Sequence, residues 1–315
     1  MFLVVFSAVR KRTIGVSKAC SFALKILTLI FGMQQFVRTR IAPTPSGYLH
    51  LGNALSFAIT VMLANRYGAK VFLRIDDLDS ERVKPEYVVD IFDTLDFLEL
   101  PWDEGPRNYD DYRTAYSQHH RMGVYQGALS ALRNRGIVFA CECSRTTLMY
   151  HHPQGLYTGT CKDKRLPLDA LGYNWRIDTA IAHLPPMMQY FVVRKKDGCP
   201  AYQLASLVDD VHYGVDLVVR GADLWASTLA QRYLAAVLGY RSFLAATCYH
   251  HALLKTGNNE KLSKSAGATS IQYLRKQGKR KAEIYAMIGK MLGLAYPVSD
   301  WKDLPLAAAG DVDVF

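Results

Sequence analysis

Three groups of residues in this chain have the types and spacing that chemistry needs. The first is Pro43-Thr44-Pro45-Ser46-Gly47-Tyr48-Leu49-His50-Leu51-Gly52-Asn53, which joins a strand-like run to a helical one. At such a junction backbone N–H groups and the positive end of the helix dipole face any anion held there. The His50 imidazole can donate to a phosphate oxygen, and Gly52, lacking a side chain, lets a nucleotide lie against the backbone. Taken alone, a histidine in such a turn is ordinarily just solvated. The second group is Lys261-Leu262-Ser263-Lys264-Ser265, whose ammonium groups and hydroxyls suit a polyphosphate. By itself it is equally the composition of an exposed basic loop. The chain contains no Gly-x-Gly-x-x-Gly or P-loop pattern, which argues against a dinucleotide enzyme or a P-loop kinase.

The third group is a cysteine cluster. Of six cysteines, Cys141, Cys143 and Cys161 lie close in sequence, whereas Cys20, Cys199 and Cys248 are scattered. A disulfide framework is not expected in an intracellular enzyme of this size, so a metal site is the better reading. Three thiolates and one further ligand make a closed tetrahedral zinc site, structural in kind and without a position for a reactive water. His151, His152 and Tyr157 are the fourth-ligand candidates. Chemistry alone favours histidine, because a phenol must first lose its proton. Three reduced cysteines without metal are the plainer alternative.

These residues must be positioned by alternating elements. Phe36–Ile41 reads as a strand, Asn53–Tyr67 as a helix stopped by Gly68, Lys70–Ile75 as a strand and Pro85–Leu98 as a helix. This alternation predicts an α/β fold with a parallel sheet. Tyr112–Arg135 reads as one long helix, and Asp197-Gly198 as a hairpin turn between Tyr190–Arg194 and Ala201–Ala205. Val215–Val219 and Thr247–His250 read as strands around a helix at Leu224–Leu238, and two helices fill Ser270–Leu292.

The 315 residues are half apolar and about a fifth charged, an ordinary globular composition. Lysine and arginine number 38 against 28 acids, which suits a polyanionic partner, nucleic acid before a membrane surface. Five of the basic residues lie in 1–32, which hold no acid; without them 33 face 28. The run from Cys20 to Gly32 is too short for a membrane span and is interrupted by Lys25. We read 1–36 as an N-terminal extension that loosely resembles a targeting peptide; the simpler account is a start at Met33, with the first 32 residues a miscalled extension.

The two signatures together resemble those of the class I aminoacyl-tRNA synthetases: His50-Leu51-Gly52-Asn53 the first, Lys261-Leu262-Ser263-Lys264-Ser265 the second. Arg40-Ile41-Ala42-Pro43-Thr44-Pro45-Ser46-Gly47, Leu73-Arg74-Ile75-Asp76-Asp77-Leu78-Asp79 and Val219-Arg220-Gly221-Ala222-Asp223-Leu224 resemble the glutamate-specific branch. The resemblance covers roughly residues 37–295 and implies a Rossmann-like catalytic domain in two halves, 37–140 and 201–268. A zinc-containing insertion at 141–200 lies between them, and a helical RNA-contact segment at 269–315 comes last. It implies that His50, Gly52, Asn53, Lys261, Ser263 and Lys264 bind ATP, with His50 and Lys264 catalytic and Mg²⁺ carried by the nucleotide. Arg40, Ile41, Ala42, Pro43, Thr44, Asp76, Tyr202 and Arg220 would bind L-glutamate, Arg40 as a planar fork on the side-chain carboxylate. The branch usually has glutamate at the position of Asp76, one methylene longer, to hold the substrate ammonium group. In its short paralogues Cys-x-Cys is followed by a tyrosine and, four residues on, a cysteine, the spacing of Tyr157 and Cys161. That resemblance selects Tyr157 over His151 or His152.

Fifty residues follow Ser265, too few for the large anticodon-binding region of a full glutamate enzyme. They include the basic run Arg275-Lys276-Gln277-Gly278-Lys279-Arg280-Lys281, suited to phosphate contacts or to a solvated face. The short paralogues activate glutamate as its adenylate and pass it to queuosine in the anticodon of tRNA(Asp). The resemblance thus implies the tRNA(Asp) anticodon stem-loop as partner, no membrane, a monomer and a cytoplasmic location. A truncated glutamate enzyme charging the tRNA 3′ end is the alternative, and an idle tRNA-binding paralogue a more distant one.

Overall fold

The computed structural model describes residues 35–152, 154–254 and 270–313. The expectations for residues 1–32 and for Lys261, Ser263 and Lys264 lie outside the described residues.

Strand β1 (Arg38–Ile41), helix α1 (Leu51–Tyr67) and strand β2 (Lys70–Leu73) form the first βαβ unit, with β1 and β2 parallel from Arg38↔Lys70 to Ile41↔Leu73. Gly68 ends α1 in the left-handed region at φ 74°, where only glycine is free of strain, and donates its N–H to the Ala64 carbonyl. A second unit comprises β6 (Leu217–Gly221), α6 (Trp225–Leu238) and β7 (Thr247–His251), again parallel. The main sheet has the order β2-β1-β6-β7-β8, where β8 (Asp311–Asp313) runs antiparallel to β7. The chain winds outward in opposite directions from β1 and β6, so the crevice beyond their carboxyl ends is the topological switch point. Open α/β sheets bind ligands at such a point.

Helices cover both faces. On β6, Leu217 and Val219 enter one core with α1, α2 (Pro85–Phe97) and α8 (Lys281–Met291). Val218 enters the other with α3 (Met122–Asn134), α5 (Tyr202–His212) and α6. This alternation is the period of a strand buried on both sides.

Four stretches differ from expectation, each for a local reason. The helix expected over Tyr112–Arg135 is broken at Ser117 (φ −55°, ψ 140°) into a π turn at Tyr112–Tyr116, a 3-10 turn at Gln118–Arg121 and α3. The break lets the buried Asp77 carboxylate collect the Tyr112 hydroxyl at 2.7 Å, the Gln118 N–H at 2.8 Å and the Ser117 hydroxyl. The turn at Asp197-Gly198 exists, with Gly198 at φ 87° and the Lys195 N–H on the Cys199 carbonyl at 2.8 Å. Ala201–Ala205, however, opens helix α5, because Leu204, Ala205, Leu207 and Val208 bury at helical spacing. Ser144 caps an unforeseen helix α4 (Arg145–His151) through the Thr147 N–H. Finally, α7 (Ile271–Lys276) and α8 match the two expected C-terminal helices, but the residues after them include strand β8 and not only a tail.

Between the two halves, β3 (Val138–Cys141), β4 (Asn174–Ile177) and β5 (Val192–Arg194) make a separate antiparallel sheet. Cys141 ends its first strand. No helix among the described residues is long and apolar enough to cross a membrane.

Candidate active site

The loop after β1 is tied to the loop after β2. The Arg74 N–H donates to the Ile41 carbonyl and the Asp76 N–H to the Pro43 carbonyl, both at 2.9 Å. Thr44 is exposed and Pro43 buried, while the Ile41 side chain belongs to the core, so of Ile41 only the backbone can meet a ligand.

His50 caps α1. Its Nδ1 accepts the Gly52 N–H at 3.0 Å, and the Asn53 side chain accepts the His50 N–H at 3.0 Å, a reciprocal capping box. With Nδ1 an acceptor, the neutral ring carries its proton on Nε2, the tautomer a phosphate oxygen can receive from. A Cβ on Gly52 would stand 2.9 Å from His50 Cε1, so glycine is required first by the imidazole. Asn53 is occupied by the cap. Ser270, the described residue following the Lys261–Lys264 segment, bridges to His50, and the Ile271 N–H reaches the Leu49 carbonyl at 2.7 Å.

Beside this helix start lies a buried ion network. Arg40 Nε donates to Asp210 at 3.1 Å and its Nη1 to the Val219 carbonyl at 3.1 Å. Arg74 donates to both oxygens of Asp76 (2.6 and 3.1 Å), to Asp210 at 2.6 Å, and lies 3.8 Å from Asp209. Asp209 also accepts from Arg121 (2.9 and 3.1 Å), Tyr125 (2.7 Å) and Gln118 (2.8 Å). Burial pushes the Asp76 carboxyl above its ordinary value despite Arg74. Asp209 goes the other way: burial opposes its charge, but Arg121 and Arg74 outweigh it. Burial likewise pulls the Arg40 guanidinium down, against the pull of Asp210.

Arg220, at the end of β6 and 3% exposed, gives Nη1 to Gln231 at 2.8 Å and to Thr228 at 3.2 Å. Its Nη2 stands 3.9 Å from Asp210, and both Nε and Nη2 have no hydrogen-bond partner among the described residues. Tyr202, at the first turn of α5, is 45% exposed and close enough to Arg40 to act on it electrostatically. The structure therefore brings Arg40, Asp76, Tyr202 and Arg220 together near the carboxyl ends of β1 and β6. Four guanidiniums in the linked network (Arg40, Arg74, Arg121, Arg220) face three carboxylates (Asp76, Asp209, Asp210). Buried charge is stable only when paired, so these ion pairs hold the members of the network in place.

The cysteine cluster is also assembled. Sulfurs of Cys141, Cys143 and Cys161 lie within 4.8 Å of one another, and no histidine or carboxylate among the described residues joins them. His152 accepts the Gln154 N–H instead, and the His151 side chain lies outside the described residues. Tyr157 is buried in the same cluster, its hydroxyl accepting the Cys161 N–H at 2.8 Å. Burial penalises the Cys141 thiolate, but the Arg176 guanidinium more than offsets this and holds the thiol below its ordinary value.

The basic run near the C-terminus is largely engaged within the chain. Arg275 pairs with Asp90 at 2.5 Å, Lys279 with Glu283 at 2.7 Å, and Lys281 with Glu99 and Asp300 at 2.7 and 2.8 Å.

Residues 36–165 and 173–297 match the family described as "tRNA synthetases class I (E and Q), catalytic domain". The chain belongs to this family. Similar class I synthetases include "Glutamyl-Q tRNA(Asp) synthetase" of Nitratidesulfovibrio vulgaris, 34% identical over 82% of this chain and 87% of that protein. The protein of the same name from Synechococcus sp. is 36% identical over 82% and 84%. Against "Glutamate--tRNA ligase 2" of Syntrophus aciditrophicus the identity is 28%, and the chain spans 62% of that enzyme. The fold matches a crystal structure of the glutamate-tRNA synthetase of Elizabethkingia anophelis (TM-score 0.67, 20% identity), over 87% of this chain and 66% of that one.

Sequence reasoning missed part of this candidate site. Asp209, Asp210, Arg74, Arg121 and Gln118 were not singled out, although they hold the named residues in place. The available signal was Asp209-Asp210 within an otherwise apolar helix face, charges that burial permits only with partners.

Proposed function

We propose that this chain activates L-glutamate with ATP as glutamyl-adenylate and transfers it to queuosine in the anticodon of tRNA(Asp). The observation that carries the reading is the excess of guanidiniums over carboxylates among the ion pairs of the network, above all Nε and Nη2 of Arg220, which have no hydrogen-bond partner among the described residues. Glutamate brings two carboxylates and one ammonium group, a net charge of minus one, which fits the surplus. Arg40 and Arg220 would hold its side-chain carboxylate, Tyr202 would close the pocket, and Asp76 would receive the ammonium group.

The α-carboxylate then attacks the ATP α-phosphorus in line, and pyrophosphate leaves. His50, as the Nε2–H tautomer, would donate to phosphate oxygens, and the Lys264 ammonium group would neutralise charge. Mg²⁺, when bound to the phosphates, supplies further neutralisation. Gly52 acts through His50 by holding its ring, and Asn53 by holding its backbone N–H. The ester forms when the adenylate's acyl carbon passes to a hydroxyl of the RNA and AMP departs.

The soft-donor set of Cys141, Cys143 and Cys161 fits zinc, and Tyr157 is the fourth ligand we favour. The ion would supply a fixed cross-link in the antiparallel sheet and no chemistry. We expect a monomer in the cytoplasm.

Glutamate-dependent ATP–pyrophosphate exchange without tRNA, followed by mapping of the labelled nucleotide, tests the reading. Label on the anticodon nucleotide of tRNA(Asp) is expected. Label on the 3′ adenosine would assign the chain to tRNA charging, and absence of exchange would remove the activity.

A further inference from the structure

Arg176 has no part in the crevice, yet it is a buried charge at 6% exposure. It sits on β4 opposite Phe139, so its side chain shares a face with Cys141, two residues along β3. Its Nε donates to Cys141 Sγ at 3.3 Å and its Nη1 to the Tyr190 carbonyl at 2.8 Å. The guanidinium carbon lies 3.8 Å from the centre of the Tyr157 ring. Arg40, Arg74, Arg121 and Arg220 each face an aspartate. Arg176 alone among these buried arginines has no carboxylate within ion-pair distance among the described residues.

A buried guanidinium without a counter-anion is costly, so an anion must be supplied by something else it touches. What it touches is the thiol cluster. Three thiolates and a phenolate around a divalent ion carry a net charge of minus two, and one cation against them halves that excess. The planar face of arginine can also hold an aromatic ring in place, which an ammonium group does poorly.

We propose that Arg176 is the positioning and charge-compensating residue of the metal site, hydrogen-bonded to the Cys141 ligand and clamping the Tyr157 ring. It raises the site's affinity for zinc without ligating it. This rests on the zinc reading above. Partners outside the ligand shell typically change metal affinity by about 10- to 100-fold.

The test uses the full chain with Arg176→Gln and Arg176→Lys. Zinc content by atomic absorption comes first: wild-type protein without stoichiometric zinc would remove the metal reading itself, and this inference with it. Competition against a chromophoric chelator should then show zinc held about tenfold or more weakly by the glutamine variant, with lysine between it and wild type. Cobalt substitution gives a second readout, because loss of the hydrogen bond to Cys141 should shift the sulfur-to-cobalt charge-transfer band, which a merely structural role would leave in place. Far-UV circular dichroism checks folding. Should the glutamine chain fail to fold, the lysine chain carries the test, since it brings the charge without the planar face. Zinc affinity and cobalt spectrum equal to wild type in the folded variants would overturn the proposal.

Discussion

Arg74 grips Asp76 through both carboxylate oxygens, Nε to Oδ1 at 2.6 Å and Nη2 to Oδ2 at 3.1 Å. Burial raises the Asp76 carboxyl above its ordinary value, so it loses its charge at a higher pH than a free aspartate would. The KM for glutamate should therefore climb as pH falls, and do so at a higher pH than an ordinary aspartate would give. Asp76→Asn should raise KM at neutral pH and flatten that dependence. A wild-type KM insensitive to acid would remove Asp76 from the ammonium site.

Arg220 offers a separation of function from stability. Its Nε and Nη2 are buried without hydrogen-bond partners, so the free protein gains little from the charge. Arg220→Met should leave the melting temperature unchanged or higher. Losing a charged hydrogen bond to substrate costs about 1.5–3 kcal/mol, so glutamate-dependent exchange should fall roughly 10- to 100-fold in kcat/KM. A variant with normal exchange kinetics would contradict the pocket.

Asp209 should dominate acid sensitivity. Its carboxyl is held below the ordinary value, chiefly because Arg121 and Arg74 overcome burial. A depressed carboxylate contributes stability that is complete above the unfolded value and is lost as pH falls through the folded one. Asp76, shifted upward, has the opposite sign: its ionisation costs stability as pH rises. Denaturant midpoints followed from neutrality downward should drop, and Asp209→Asn should reduce the slope. The same variant leaves Arg121 buried beside a neutral amide and should cost about 3–5 kcal/mol at neutral pH.

Gly52→Ala should injure both the helix and the chemistry. The added Cβ meets the His50 ring at 2.9 Å, so the imidazole must leave its cap position. Loss of a cap costs about 1 kcal/mol. The displaced ring should lower kcat for exchange more than the affinity for glutamate. An unchanged kcat would show that the cap geometry is not what orients His50.

The features legible before folding were mostly local. The βαβ pattern, the stop at Gly68 and the cysteine spacing each arise from a few adjacent residues, and all three appear in the fold. Arg40, Asp76, Tyr202 and Arg220, which the resemblance implied as glutamate-binding, lie close together in the fold. The supports were hidden because they act over long sequence separations: Asp209 meets Gln118 and Arg121 from some ninety residues away. The break at Ser117 was illegible for the same reason, since its cause is Asp77 in a different segment. Helix α5 was misread because a turn beside a short apolar run suits a hairpin arm and a helix start alike.

Strand β8 lies along β7, from Cys248↔Asp313 to His250↔Asp311. On the far side of the same sheet, Asp103 and Glu104 cover β2, with the Leu73 N–H on the Glu104 carbonyl at 2.9 Å. On the β7 side β8 is therefore itself the outer strand, three residues long with an aspartate at each end. Rims left bare invite strands from other molecules and lead to aggregates. A short strand with a charge at each end is a poor template for such pairing, and a version shortened before Asp311 would present the longer β7, which carries no acid, as its edge instead.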